Sequence, residues 1–163
     1  MNFTKTHKLT ILLYTLILSQ FVLIGCGVAE SAPSGTASKI ADKIFEESGV
    51  TFRAPERVTL DNDEDREFYL GSTDYPEFND SVAVVPMIRV DTRVLYIIKA
   101  TNKGDVEKIK TTLKENINPD RLVCVRFTLE DVIIESRGNV IFMIINPIPE
   151  EKEALAEAFR TIE

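Results

Sequence analysis

Two stretches of this chain carry the same succession of patterns, and that repetition limits what it can fold into more than any single motif does. The first runs from β-rich residues 82–88 through a turn at 89–92 to a second β-rich run at 93–100. An amphipathic helix follows, with Val106, Ile109, Leu113 and Ile117 on one face, Asn102 as its cap with Asp105 three residues on, and Pro119 beyond its end. The second stretch repeats the order: a strand at 132–135, a turn at Arg137-Gly138-Asn139 and a strand at 140–145. Pro149 then opens a helix whose Leu155, Ala158, Phe159 and Ile162 share a face. The two units match in order and length, not residue by residue. A lone hairpin is marginally stable in water, so the two hairpins are expected to share one sheet and to bury it under helices on one face. Pro86 has no N–H for a ladder, which predicts a sheet edge or a bulge for its strand.

Upstream, Ile40, Ala41, Ile44 and Phe45 recur at helical spacing over residues 38–48, and Gly49 supplies a stop. Residues 51–79 are less regular. They hold Pro55, Pro76, an acidic run and the aromatics Phe52, Phe68, Tyr69, Tyr75 and Phe78, and read as turns with one short element at 68–71. Residues 120–130 fit a continued helix or a strand equally well. The expected architecture is α+β, a four-stranded mainly antiparallel sheet with three helices in the order α-(ββα)-(ββα), in which Ile44, Leu113 and Phe159 cover one sheet face.

The N-terminus carries a different instruction. Lys5 and Lys8 precede a run from Leu9 to Ala29 without a charged side chain, the layout of an export signal. Lysines beside an apolar segment stay on the cytoplasmic side, so the rest of the chain is expected to cross. The run contains Leu23-Ile24-Gly25-Cys26, which resembles the lipobox of bacterial lipoproteins. That resemblance implies a diacylglyceryl group on Cys26 and cleavage just before it. An uncleaved transmembrane helix also fits the length of the run, although Thr10, Tyr14, Thr15, Ser19 and Gln20 make it a poor span. Either way the domain faces outward. The expected division is a signal peptide over 1–25, a lipidated cysteine and flexible linker over 26–37, and one α+β domain over 38–163. The expected location is the cell membrane, lipid-anchored on its extracytoplasmic side, because two acyl chains hold a protein effectively permanently.

Removal of residues 1–25 leaves 17 Lys and Arg against 26 Asp and Glu, a net charge of −9. Such a domain is repelled by anionic lipid and is not a nucleic-acid partner, since that role needs clustered Lys and Arg. A linker over 27–36 would reach roughly 17 Å, against a screening length of about 8 Å.

The chain's single histidine, His7, lies in the leader, which excludes histidine-based hydrolases and histidine-ligated zinc or copper from the mature domain. With Cys26 lipidated, Cys124 is the one remaining thiol, unable to form an intrachain disulfide and expected to be buried and inert among Leu122, Val123 and Val125. Gly104 stands alone, without the glycines of a phosphate loop. No cofactor or metal site is therefore expected. The run Asp61-Asn62-Asp63-Glu64-Asp65 begins as a calcium loop does, but Arg66 and Ser72 stand where glycine and a bidentate glutamate belong, so it reads as a solvated acidic turn.

Asp74, Glu77 and Asp80 near Tyr75 and Phe78 are the candidates for paired-carboxylate chemistry on a glycan. The preferred binding surface is the irregular aromatic stretch with Phe68, Tyr69, Tyr75 and Phe78, since loops on a rigid scaffold often carry function. The order of elements around Val94-Leu95-Tyr96-Ile97-Ile98-Lys99-Ala100, over residues 38–163, resembles an uncharacterised lipoprotein domain of Gram-positive bacteria, a domain of unknown function. The resemblance implies an envelope location and carries over no catalytic residue. The expectation is a non-catalytic module, held to the membrane through Cys26, that binds an envelope protein or cell-wall polymer. A carboxylate-dependent enzyme acting on cell-wall glycan is the alternative.

Overall fold

Local signals set most element ends. Helix α1 (Ala37–Ser48) begins where the Thr36 side chain accepts a hydrogen bond from the Lys39 amide, and ends at Gly49 with φ of 66°. Helix α2 (Asp63–Leu70) is capped by the Asn62 side chain, which accepts from the Asp65 amide at 2.9 Å, and it stops at Gly71. The acidic run is thus the first turn of a helix, where carboxylates sit favourably against the exposed N–H groups. The computed structural model describes residues 31–87, 90–119 and 125–163. The leader with Cys26, part of the 89–92 turn, and residues 120–124 with Cys124 lie outside the described residues.

The remaining elements are β1 (Pro55–Val58), β2 (Phe78–Pro86), β3 (Val94–Ala100), α3 (Val106–Asn116), β4 (Val132–Arg137), β5 (Val140–Ile145) and α4 (Pro149–Thr161). The strands form one sheet in the order β1-β2-β3-β5-β4, each neighbouring pair antiparallel. The β4–β5 hairpin closes through Gly138 and Asn139, with Gly138 at φ of 59°, where glycine carries no Cβ penalty.

The mixed α and β composition and the antiparallel sheet agree with expectation, but the counts do not: the described residues hold five strands and four α-helices. Strand β1 is the added one. Its Pro55 starts an edge strand, the position that tolerates a missing N–H, and only its register with β2 defines it. Pro86 lies neither on an edge strand nor at the bulge: β2 sits between β1 and β3, and Pro86 is its last residue, past the end of the β3 register at Val84. The bulge falls at the other end, between Phe78 and Asp80.

The helices cover both faces of the sheet, which corrects the single-face expectation. Leu95, Ile97, Phe142 and Ile144 point to α1 and α4, where Ile40, Ile44, Leu155 and Phe159 meet them. The alternate residues Tyr96, Ile98, Met143 and Ile145 point to the other side, with Leu70, Val106, Ile109 and Leu113. Leu113 therefore belongs to a different core layer from Ile44 and Phe159. The cause is in β3 and β5, which are apolar at nearly every position and must be shielded on both sides.

The segment expected as linker is partly folded as well. Pro33 is buried, the Gly35 carbonyl accepts from Lys99 Nζ at 2.6 Å, and the Ala37 amide donates to Asp80 Oδ2 at 2.8 Å. Ser34 donates to the Glu163 carbonyl at 3.3 Å, so both ends of the unit Ser31–Glu163 meet at one end of the sheet.

Candidate functional site

At the opposite end of the sheet, β2 and β5 finish and β1, β3 and β4 start. The antiparallel topology brings the segments before β1, β3 and β4 together there with the one after β5. Between them opens a cleft of about 580 Å³. Three arginines line it, each shortly upstream of a strand: Arg53, Arg93 and Arg126. Its apolar walls come from Pro86, Val90, Val125, Pro147 and Ile148.

The arginines are placed differently. Arg93 is fixed from several directions. Its Nε lies 3.0 Å from both carboxylate oxygens of Asp91, its Nη2 2.7 Å from Asp91 Oδ2 and its Nη1 3.3 Å from Glu151 Oε2. Its guanidinium also rests over the Phe52 ring, 5.2 Å from the centroid. The same Glu151 Oε2 accepts from the buried Asn146 side chain at 3.0 Å, and Asn146 accepts from the Ile148 amide at 2.9 Å.

Burial is the largest influence on Asp91 and pushes its carboxyl up, but the Arg93 side-chain and backbone hydrogen bonds and the Arg93 charge together outweigh it, holding the group below its ordinary value. The hydrogen bond to Asp91 raises Arg93 in turn. Asp91 is the one carboxylate among the described lining residues. Arg53 is exposed and makes no ion pair or hydrogen bond among the described residues.

The aromatics singled out in the sequence lie elsewhere. Phe78 is buried beneath Arg66, whose guanidinium stands 4.5 Å from the ring centroid. Tyr75 is partly buried and donates to the Leu70 carbonyl at 2.9 Å, and burial, then the neighbouring Tyr96 and Glu67, push its hydroxyl well above the ordinary range. Tyr69 packs against the core, and its carbonyl accepts from the buried Tyr96 hydroxyl at 3.1 Å. Phe68 alone of the four is exposed. Three of the four thus serve packing rather than forming a shared exposed patch.

No family model matches the chain, and neither a curated protein nor a solved structure does. The geometry therefore stands alone.

Of the three carboxylates considered for glycan chemistry, Asp80 accepts from the Ala37 amide and pairs with Lys99 at 3.7 Å, while Asp74 and Glu77 are exposed. Among the described residues, no group of three or more His, Cys, Asp or Glu is placed to hold a metal ion. Sequence reasoning missed the arginine cleft because its cationic members are scattered from position 53 to 126 in an acidic chain. The available signal was topological: in an antiparallel sheet, residues just before several strands gather at one end.

Proposed function

We propose that this chain is a lipid-anchored extracytoplasmic binding module of the cell envelope, and that the arginine cleft holds its ligand. The observation that carries the reading is the cleft itself, three guanidinium groups between apolar walls in a chain whose net charge is −7. Pockets that combine apolar walls with a few fixed polar groups are where ligands bind. Binding rather than catalysis is favoured by the state of Asp91, held below its ordinary value and occupied by Arg93, the reverse of the raised carboxyl a general acid needs.

The lipobox and the resemblance to Gram-positive lipoprotein domains support the anchor at Cys26 and a place on the outer side of the membrane. With Pro33 docked on the domain, the tether from Cys26 to Ala32 spans at most about 20 Å when extended. The chain enters the fold at the sheet end away from the cleft, and β3 alone adds about 20 Å between the two ends. On this reading the cleft lies at the sheet end away from the point where the chain enters the fold, open to an envelope protein or wall component.

Two measurements test the reading. Cys26→Ala should abolish labelling by a fatty-acid probe and leave the chain in an uncleaved or soluble form, and labelling that persists would remove the anchor. A photo-crosslinking residue at Val90 should trap a discrete product in intact cells where one at Lys108, exposed on α3, does not. Equal trapping from both positions would count against the cleft.

A further inference from the structure

Val90 and Ile148, 61% and 40% exposed, line the cleft, and the 68% exposed Met87 directly follows its Pro86. Large apolar side chains left in water around a concavity lose that exposure when an apolar ligand enters. Beside them stands Arg53, whose planar fork of donors is not taken by any described residue. Such a fork matches a carboxylate or phosphate. Each nitrogen of Arg93 already donates to Asp91 or Glu151, which makes that residue part of the wall, and of these two guanidinium groups Arg53 is the one left to meet a charge.

We propose that the cleft takes an amphiphilic anion, an apolar body bearing one carboxylate or phosphate head. The proposal rests on the reading of the cleft as the binding site. The single head follows from the balance of charge. The mature chain has 26 acidic against 17 basic side chains, so a polyanion meets repulsion over its length, whereas one compact head within a screening length of about 8 Å is governed by the guanidinium beside it. The volume, about 580 Å³, is that of a small-molecule site. A fatty acid and a phosphate monoester lipid are two sources of this chemistry.

The test uses the mature chain, residues 26–163, with Cys26→Ser in place of the lipid, titrated calorimetrically with laurate, dodecyl phosphate and dodecanol below their aggregation limits. At least one of the two anions should bind saturably, and the tighter one identifies the source. Dodecanol should bind about tenfold more weakly or worse, the loss expected for a charge-assisted paired contact. Arg53→Gln should weaken the anion by a similar factor without moving the urea midpoint, and Val90→Asp should weaken both the anion and dodecanol. Arg57→Gln, on a guanidinium paired with Asp42 away from the cleft, should leave affinity unchanged. Equal binding of dodecanol and the anions, an unchanged Arg53→Gln variant, or no saturable binding of either anion would overturn the proposal. If the Val90 crosslink forms in cells while both anions fail, the ligand class alone is lost; if the crosslink fails too, the cleft is lost with it.

Discussion

At Arg93 one guanidinium serves Asp91, Glu151 and the face of Phe52 together, which fixes the start of β3 against α4 and the α1–β1 connection. The Asp91 carboxyl is depressed in the folded state, so its contribution to stability is present above its ordinary value of 3.8 and is lost as pH falls through the lower folded-state value. Asp91→Asn should cost about 1 kcal/mol at pH 7, allowing for partial exposure. The gap from the unsubstituted chain should hold down to about pH 4 and close below it in urea unfolding. A gap that persists to pH 2 would show that charge is not its source. Glycine offers a second contrast. A Cβ at Gly71 would lie 1.9 Å from the Asn116 carbonyl oxygen at the end of α3, while one at Gly49 meets nothing within 4 Å. Both have positive φ, so Gly49→Ala should cost about 1 kcal/mol from backbone strain alone and Gly71→Ala about 2 to 4 kcal/mol in chemical denaturation. The sequence marks Gly49 as a helix stop; that Gly71 also ends a helix, and admits a neighbouring backbone, is invisible until the chain is folded.

Among the elements, α1, α3, α4, β3 and β5 were legible because each carries a strong internal signal of stripe or apolar run. Strand β1 was not, since its Pro-Glu-Arg-Val is exposed at three of four positions and is a strand only through its pairing with β2. Helix α2 was hidden by polarity: in its eight residues Leu70 alone is buried, and its acidic start imitates a loop. The two core layers make separate demands. Leu113→Ala should cost about 2 to 5 kcal/mol, and its effect should add to that of Phe159→Leu within about 0.5 kcal/mol, because the sheet stands between them. Phe142→Leu and Phe159→Leu should not add, since those rings stack at 4.9 Å between centroids. Coupling between Leu113 and Phe159 as large as that between the two phenylalanines would contradict the layered assignment.

For the molecule as a whole, the sheet acts as a spacer with different chemistry at its ends. One end gathers the start and finish of Ser31–Glu163, including Arg137, whose Nη1 donates to the Phe159 and Ile162 carbonyls at 2.9 and 2.6 Å and closes α4. The other end holds the arginine cleft. The sequence by itself determined the amphipathic helices, the hairpins and the mixed fold class, because periodicity and turn chemistry act over a few neighbouring residues. Tertiary structure alone decided that the helices take both faces, that Pro55–Val58 joins the sheet, that Phe78 is core, and that Arg53, Arg93 and Arg126 become neighbours. Those outcomes depend on which distant segments pair and which apolar faces are left to cover. Such competition between surfaces is settled by the whole chain at once, and no local window records it.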